Sequence, residues 1–179
     1  MIVHNRLFLG RFLSHLRLPL YRNGYLLTLS SVGSSAFGLL FWALAARFYA
    51  PEVVGLQSAV LSAMMLLAGI SVLSLNNVLI RFLQSAGQAA FRMVGFAYVV
   101  SVAASIVVSL AFVKAVGLWL PALQFLGQSP AWLISFLAAT AAWCIFSLQD
   151  YALIGLRQTQ WIPIENLLFS FAKIVLLVA

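Results

Sequence analysis

Charged side chains that stand inside long apolar runs are the first candidates for chemistry in this sequence. The 179 residues include ten lysines or arginines and three acidic residues. Three of these charges, Asp150, Glu165 and Lys173, lie within or at the edge of runs that are otherwise apolar. A charge that faces lipid costs on the order of several kcal/mol, so such residues need a partner or a function.

Helix geometry gives each of these charges a depth. Lys173 follows Ile162 by eleven residues, which is about 16 Å at the rise of an α-helix and near the middle of a bilayer. Asp150 precedes Arg157 by seven residues, or about 10 Å. Two contacts are open, Asp150 with Lys173 and Asp150 with Arg157. Structural ion pairing is one interpretation, and a central cavity that holds an anionic substrate or a coupling proton is the other.

Asn76 and Asn77 form a second polar feature, near the end of an apolar run that covers about 54–80. Two amides at this place are expected either to cap a broken helix or to line the same cavity as the charges. The acidic residues Asp150 and Glu165 are also candidates for the lining of that cavity.

Catalytic and metal-binding patterns are absent from the sequence. His4 and His15 are eleven residues apart with no acid beside them, and the three acids are spread from residue 52 to residue 165. This spacing offers no magnesium site, and no Gly-rich phosphate loop is present. Cys144 is the single cysteine, which excludes a disulfide scaffold. We therefore expect no catalytic residue, no metal and no cofactor, and we expect that the protein is not an enzyme.

Composition indicates what surrounds these residues. Hydrophobic residues make up 64% of the chain and charged residues 7%, with a mean hydropathy of +1.09. Soluble domains carry about 25% charged residues, so lipid must be the solvent for most of this chain. The net charge of +7 does not predict a nucleic-acid partner, because the basic residues are scattered between apolar runs.

Apolar runs of about 20 residues predict an all-α membrane protein. The basic amphipathic segment at 1–23 is expected to form an interfacial helix that stops at Pro19. An ordinary positive flank to the first span is the alternative. The remainder, 24–179, is expected to form a transmembrane lobe that is truncated at its C-terminus, since the last run ends without a polar flank. The five predicted spans cover about 25–46, 54–80, 93–113, 131–154 and 162–179.

Arginine and lysine positions predict the orientation. Seven arginines fall on the side of the N-terminus and of the loops near 81–92 and 157, whereas Arg47 and Lys114 fall on the other side. The positive-inside rule therefore predicts a multi-pass inner-membrane protein with a cytoplasmic N-terminus.

Small residues recur every four positions in two of the predicted spans. This spacing lets helices approach closely in lipid, so we interpret both stripes as packing surfaces, with a polar cavity lining as the alternative for the serines. The first predicted span has Ser30, Ser34 and Gly38, and also Ser31 and Ser35, while the third has Ala97, Ser101, Ser105 and Ser109.

Three segments also share the order and spacing of motifs found in one transporter family. The chain resembles the oligosaccharide flippases of the multidrug/oligosaccharidyl-lipid/polysaccharide exporter superfamily in residues 18–63, 73–83 and 148–178. The motifs that carry the resemblance are Pro51-Glu52-x-x-Gly55, Leu75-Asn76 with Ile80-Arg81-Phe82, and Asp150 followed by Gly155-Leu156-Arg157 and Glu165-Asn166.

The resemblance implies one lobe of a two-lobed helical carrier that works by alternating access. Its substrate would be a polyprenyl-pyrophosphate-linked oligosaccharide for cell-surface polysaccharide such as lipopolysaccharide. Its partners would be the lipid bilayer, that lipid-linked sugar and a missing C-terminal lobe. A basic cavity suits a pyrophosphate, which makes Arg81, Arg92, Arg157 and Lys173 the candidates. The alternative is a membrane-embedded enzyme or scaffold of polysaccharide assembly.

Overall fold

Helices joined by short turns make up the computed structural model, which describes residues 19–178. No strand occurs in this range, so the predicted all-α class is confirmed for it. Two short 3-10 turns cover Gly87–Ala89 and Pro121–Leu123. The α-helices are α1 Pro19–Phe48, α2 Pro51–Ser71, α3 Leu75–Phe82, α4 Ala90–Trp119, α5 Phe125–Gln128, α6 Pro130–Gly155 and α7 Trp161–Val178.

Four of the described helices are long and apolar enough to cross a membrane. They correspond to the segments Ser31–Phe48, Pro51–Ser71, Gly87–Trp119 and Pro130–Gly155. This is the pattern of a multi-pass membrane protein. The predicted fifth span coincides with the 18-residue α7 and stays a prediction. The interfacial helix predicted for 1–23 lies outside the described residues, except that the backbone of 19–23 belongs to α1.

Prolines set several helix boundaries. Pro51 and Pro130 each stand in the first turn of a helix, where their missing N–H is not needed. Pro121 follows the end of a helix, and Leu120 before it has left the helical conformation, with φ of −135° and ψ of 82°. The helix that contains the predicted span 93–113 therefore continues past Lys114 as far as Trp119.

The described residues divide into two compact units, 19–45 with 158–178 and 46–157. In the first unit, α1 and α7 are neighbours. A Cβ on Gly33 would lie 3.3 Å from Leu167, and Lys173 Nζ lies above the ring of Phe41. The contacts advance in the same sense along both helices, so α1 and α7 run parallel.

The second unit is built around the contact between α4 and α6. Both helices bury residues at every fourth position, as close packing of helices in lipid requires. The stripe predicted on α4 lies in this interface, in agreement with its interpretation as a packing surface. The buried positions are Ala97, Ser101, Ser105 and Ser109 on α4, and Phe136, Thr140, Cys144, Leu148 and Ala152 on α6.

Two apolar clusters lie toward opposite ends of the second unit. Between them, Cys144 Sγ lies 3.5 Å from the carbonyl oxygen of Ala68 and joins α6 to α2. The first cluster contains Met64, Leu67, Val116, Leu123, Leu126 and Phe136. The second contains Val72, Leu79, Leu83, Ala97, Leu148 and Ala152, and it positions the turn between α3 and α4 against the end of α6.

Candidate functional site

The predicted span 54–80 is interrupted. Leu73 and Ser74 both adopt left-handed backbone conformations, with φ of 50° and 60°, and they separate α2 from α3. The N–H of Leu73 donates to the Ile70 carbonyl and that of Leu75 to the Val72 carbonyl, in place of the usual partners four residues earlier. Left-handed residues that are not glycine cost about 1–2 kcal/mol each, so surrounding packing must hold this break in place.

Asn76 and Asn77 follow the break directly. The N-cap position of α3 belongs to Ser74, so neither asparagine caps the broken helix. Asn77 is exposed and its N–H donates to the Ser74 carbonyl. Asn76 is partly buried, and its Oδ1 has no hydrogen-bond partner among the described residues. Of the two amides, Asn76 is therefore the one that offers an unused polar atom.

A pocket of about 520 Å³ lies where the α3–α4 turn meets the end of α6. Leu83, Gln84 and Gly87 line one wall, and Gly155 and Arg157 line the other. We call it the basic pocket. The turn and the helix end fit together because Gly155 has no side chain, as an added Cβ would lie 2.8 Å from the Leu79 carbonyl oxygen.

Arg157 is the charged residue of the basic pocket. Its backbone has a φ of 59° in the turn that follows α6. Its Nη2 donates a 3.0 Å hydrogen bond to Gln84 Oε1, across 73 residues of sequence. The sequence predicted Arg157 as a site residue. It did not indicate Gln84, because the two residues are far apart in the chain. The alternative contact of Asp150 with Arg157 stays a prediction.

Arg81 and Arg92 lie close to the basic pocket without lining it. Both side chains are exposed. The guanidinium of Arg81 lies 5.5 Å from the ring centre of Phe82, a cation–π distance. Arg92 is in the first turn of α4, which begins beside the pocket. The structure thus gathers three of the predicted basic residues at one end of the second unit.

Asp150, Glu165 and Lys173 are all partly buried. Asp150 is in the second unit and the other two are in the first, so the proposed contact between Asp150 and Lys173 stays a prediction. Lys173 Nζ lies 4.5 Å from the ring centre of Phe41. Glu165 stands eight residues before Lys173 on α7.

A second, apolar cavity of about 600 Å³ was not predicted. It lies at the opposite end of the second unit from the basic pocket, between α2, α5 and α6. Met64, Leu126 and Phe136 form part of its wall, and the rings of Phe125 and Trp132 meet edge to face with their centres 5.6 Å apart. The aromatic residues around the loop at 114–130 were the one sequence feature that could have indicated this cavity, but aromatic residues are also typical of an ordinary membrane interface.

No group of three or more His, Cys, Asp or Glu side chains that could hold a metal ion occurs within residues 19–178. Comparisons with known protein families, with curated proteins and with solved structures find no match for this chain.

Proposed function

We propose that this chain is part of a membrane transporter that flips polyprenyl-pyrophosphate-linked oligosaccharides for cell-surface polysaccharide biosynthesis. The proposal takes α7 as a fifth span, places the N-terminus in the cytoplasm, and requires a second helical lobe for alternating access. The observation that carries it is the environment of Lys173 on α7.

Lys173 stands twelve residues after Trp161, which is about 18 Å along α7 and near the centre of a bilayer if α7 crosses it. The contact that the structure gives its ammonium group is the face of Phe41, at 4.5 Å. An aromatic face attracts a cation without neutralising it. The positive charge of Lys173 is therefore available to an anionic substrate. At this depth a charge without a function would only raise the free energy of the folded protein.

A pyrophosphate-linked sugar fits this arrangement better than a neutral solute. Its head group carries negative charge that must cross an apolar barrier, and cationic side chains at the membrane surface and within it lower the cost of that step. Arg157, at one end of the second unit, provides the cation at the membrane surface. Lys173 provides the cation within the membrane. The resemblance of the sequence to oligosaccharide flippases supports the same substrate class.

Leaflet transfer tests the proposal. The full gene product is reconstituted in liposomes, and the exposure of a fluorescent lipid-linked sugar on the outer face is followed with time. We expect Lys173→Gln to slow transfer at least about tenfold, because the intramembrane cation is lost. Phe41→Leu should slow it less, since the cation remains.

Lys114→Gln is the matched control. It removes an exposed lysine near the end of α4, and transfer should stay at the wild-type rate. Wild-type transfer by Lys173→Gln at wild-type abundance would refute the role of Lys173. A sugar lipid whose mass changes during the assay would instead indicate an enzyme and overturn the transport proposal.

A further inference from the structure

The way in which Arg157 is held distinguishes the basic pocket from an ordinary charged surface. Gln84 accepts one of the five N–H groups of the guanidinium, at 3.0 Å. An amide oxygen orients the guanidinium but, unlike a carboxylate, leaves its charge uncompensated. A planar guanidinium that is held in this way can donate two parallel hydrogen bonds to two oxygens of one phosphate.

The two chain segments that form the pocket carry positive charge. The segments 81–92 and 155–157 contain three arginines and no acidic residue. The pocket also includes Ala90, the first residue of the 30-residue α4, whose N-terminal end carries about half a positive charge. The arginines and the helix end both favour the binding of an anion in the basic pocket.

Exposed apolar side chains lie in the pocket lining or next to it in the sequence: Leu156 lines the pocket, and Phe82 and Phe91 each precede or follow a lining residue. Phe82 is 48% exposed, Leu156 is 46% exposed and Phe91 is 88% exposed. Phe91 and Leu156 lie at the ends of α4 and α6, which are long enough to span a membrane, and Phe82 ends the short α3. Exposed apolar groups at such a boundary contact lipid rather than water. A ligand that reaches the pocket from this boundary has an apolar part as well as an anionic part.

We propose that the basic pocket binds the phosphate of a membrane lipid, with Arg157 as the main donor and Gln84 as the residue that orients it. The phosphate enters between the α3–α4 turn and the end of α6, and the lipid tails remain beside Phe82 and Phe91. Basic pockets between transmembrane helices bind lipid head groups in this manner. Binding at this pocket requires no transport, so the inference does not depend on the function of Lys173.

Lipid titration of the purified chain tests the inference. The chain in a neutral detergent is titrated separately with phosphatidylglycerol, polyprenyl pyrophosphate, phosphatidylcholine and inorganic pyrophosphate, and bound lipid is counted by native mass spectrometry. We expect saturable binding of one or both of the anionic lipids. The stronger of the two identifies the source of the phosphate, a phospholipid or a lipid-linked sugar.

Two variants and one control assign the site. Arg157→Gly should weaken anionic-lipid binding at least about tenfold, and it should not impair folding, because glycine suits the φ of 59° at this position. Gln84→Leu keeps the charge but frees the guanidinium, and about threefold weaker binding is expected. Arg47→Gln removes an exposed arginine in the last turn of α1 and should leave binding unchanged.

Three results would overturn the inference. Equal weakening by Arg157→Gly and Arg47→Gln would show attraction to net charge alone. Equal binding of phosphatidylcholine would show that the anionic charge is not recognised. Binding of inorganic pyrophosphate as tight as that of either lipid would show a site for a soluble anion.

Discussion

Replacement of Gly155 by alanine is the sharpest test of how the second unit is packed. Gly155 is the last residue of α6, and it touches the backbone of α3. A Cβ at this position would lie 2.8 Å from the Leu79 carbonyl oxygen and 3.1 Å from the Leu83 side chain. Ordinary contacts begin at 3.4 Å, so α3 and α6 must separate by about 0.6 Å.

The expected cost follows from what blocks the new methyl group. The nearest atom belongs to backbone, which cannot move aside as the end of a flexible side chain can. Leu79 and Leu83 are also almost completely buried, so moving α3 disturbs the apolar cluster around them. Overpacking of this kind costs about 1–3 kcal/mol. It exceeds the gain of at most about 1 kcal/mol that alanine has over glycine inside a helix.

Thermal unfolding of the purified chain in detergent measures this effect. For a chain of this length, each kcal/mol corresponds to about 2–4 °C, so Gly155→Ala should lower the Tm by several degrees. Gly95→Ala is the control, because Gly95 lies in α4 with no atom within 4 Å of an added Cβ. Its Tm should stay the same or rise. An unchanged or higher Tm for Gly155→Ala would refute the close approach of α3 and α6.

Three further substitutions probe the break, the α4–α6 interface and the buried thiol. Ser74→Gly should raise the Tm by about 2–4 °C, because it relieves a left-handed conformation worth about 1 kcal/mol; a lower Tm would contradict the break. Ser101→Ala should be neutral or stabilising, since the buried Ser101 hydroxyl has no hydrogen-bond partner among the described residues. Ser101→Leu should lower the Tm, because the larger side chain overpacks the interface between α4 and α6. Cys144 is fully buried, so a maleimide should label it only after denaturation, and rapid labelling of the folded chain would contradict its position.

The general architecture was accessible from sequence because lipid imposes simple rules. A helix must be long and apolar to cross the bilayer; the apolar run at 131–154 coincides with α6, and the run at 25–46 lies within α1. Prolines at the ends of the runs refine these limits, as Pro130 does for α6. The stripe of serines on α4 was informative for the same reason, since small residues at every fourth position have few uses other than packing.

The sequence left a broken helix as one of two interpretations of Asn76 and Asn77, and hydropathy did not locate the break in the second predicted span. Its left-handed residues are Leu73 and Ser74, whereas glycine is the usual signal for such a conformation. Leu75 and the residues at 78–80 keep the run apolar on average around the break, so its hydropathy does not mark the position. Since α2 alone has 21 residues, or about 31 Å, it already covers the hydrocarbon, and α3 is an addition that only tertiary contacts reveal.

The basic pocket shows how a stabilising contact and a binding site depend on one another. Arg157 was predictable from its charge, but its partner Gln84 is brought to it by the packing of α3 on α6, which depends on Gly155. Separation of α3 from α6 would also shift Gln84 relative to Arg157, so Gly155→Ala is expected to weaken their 3.0 Å hydrogen bond. The absence of a side chain at residue 155 therefore links the packing of this end of the unit to the contact that orients its cation.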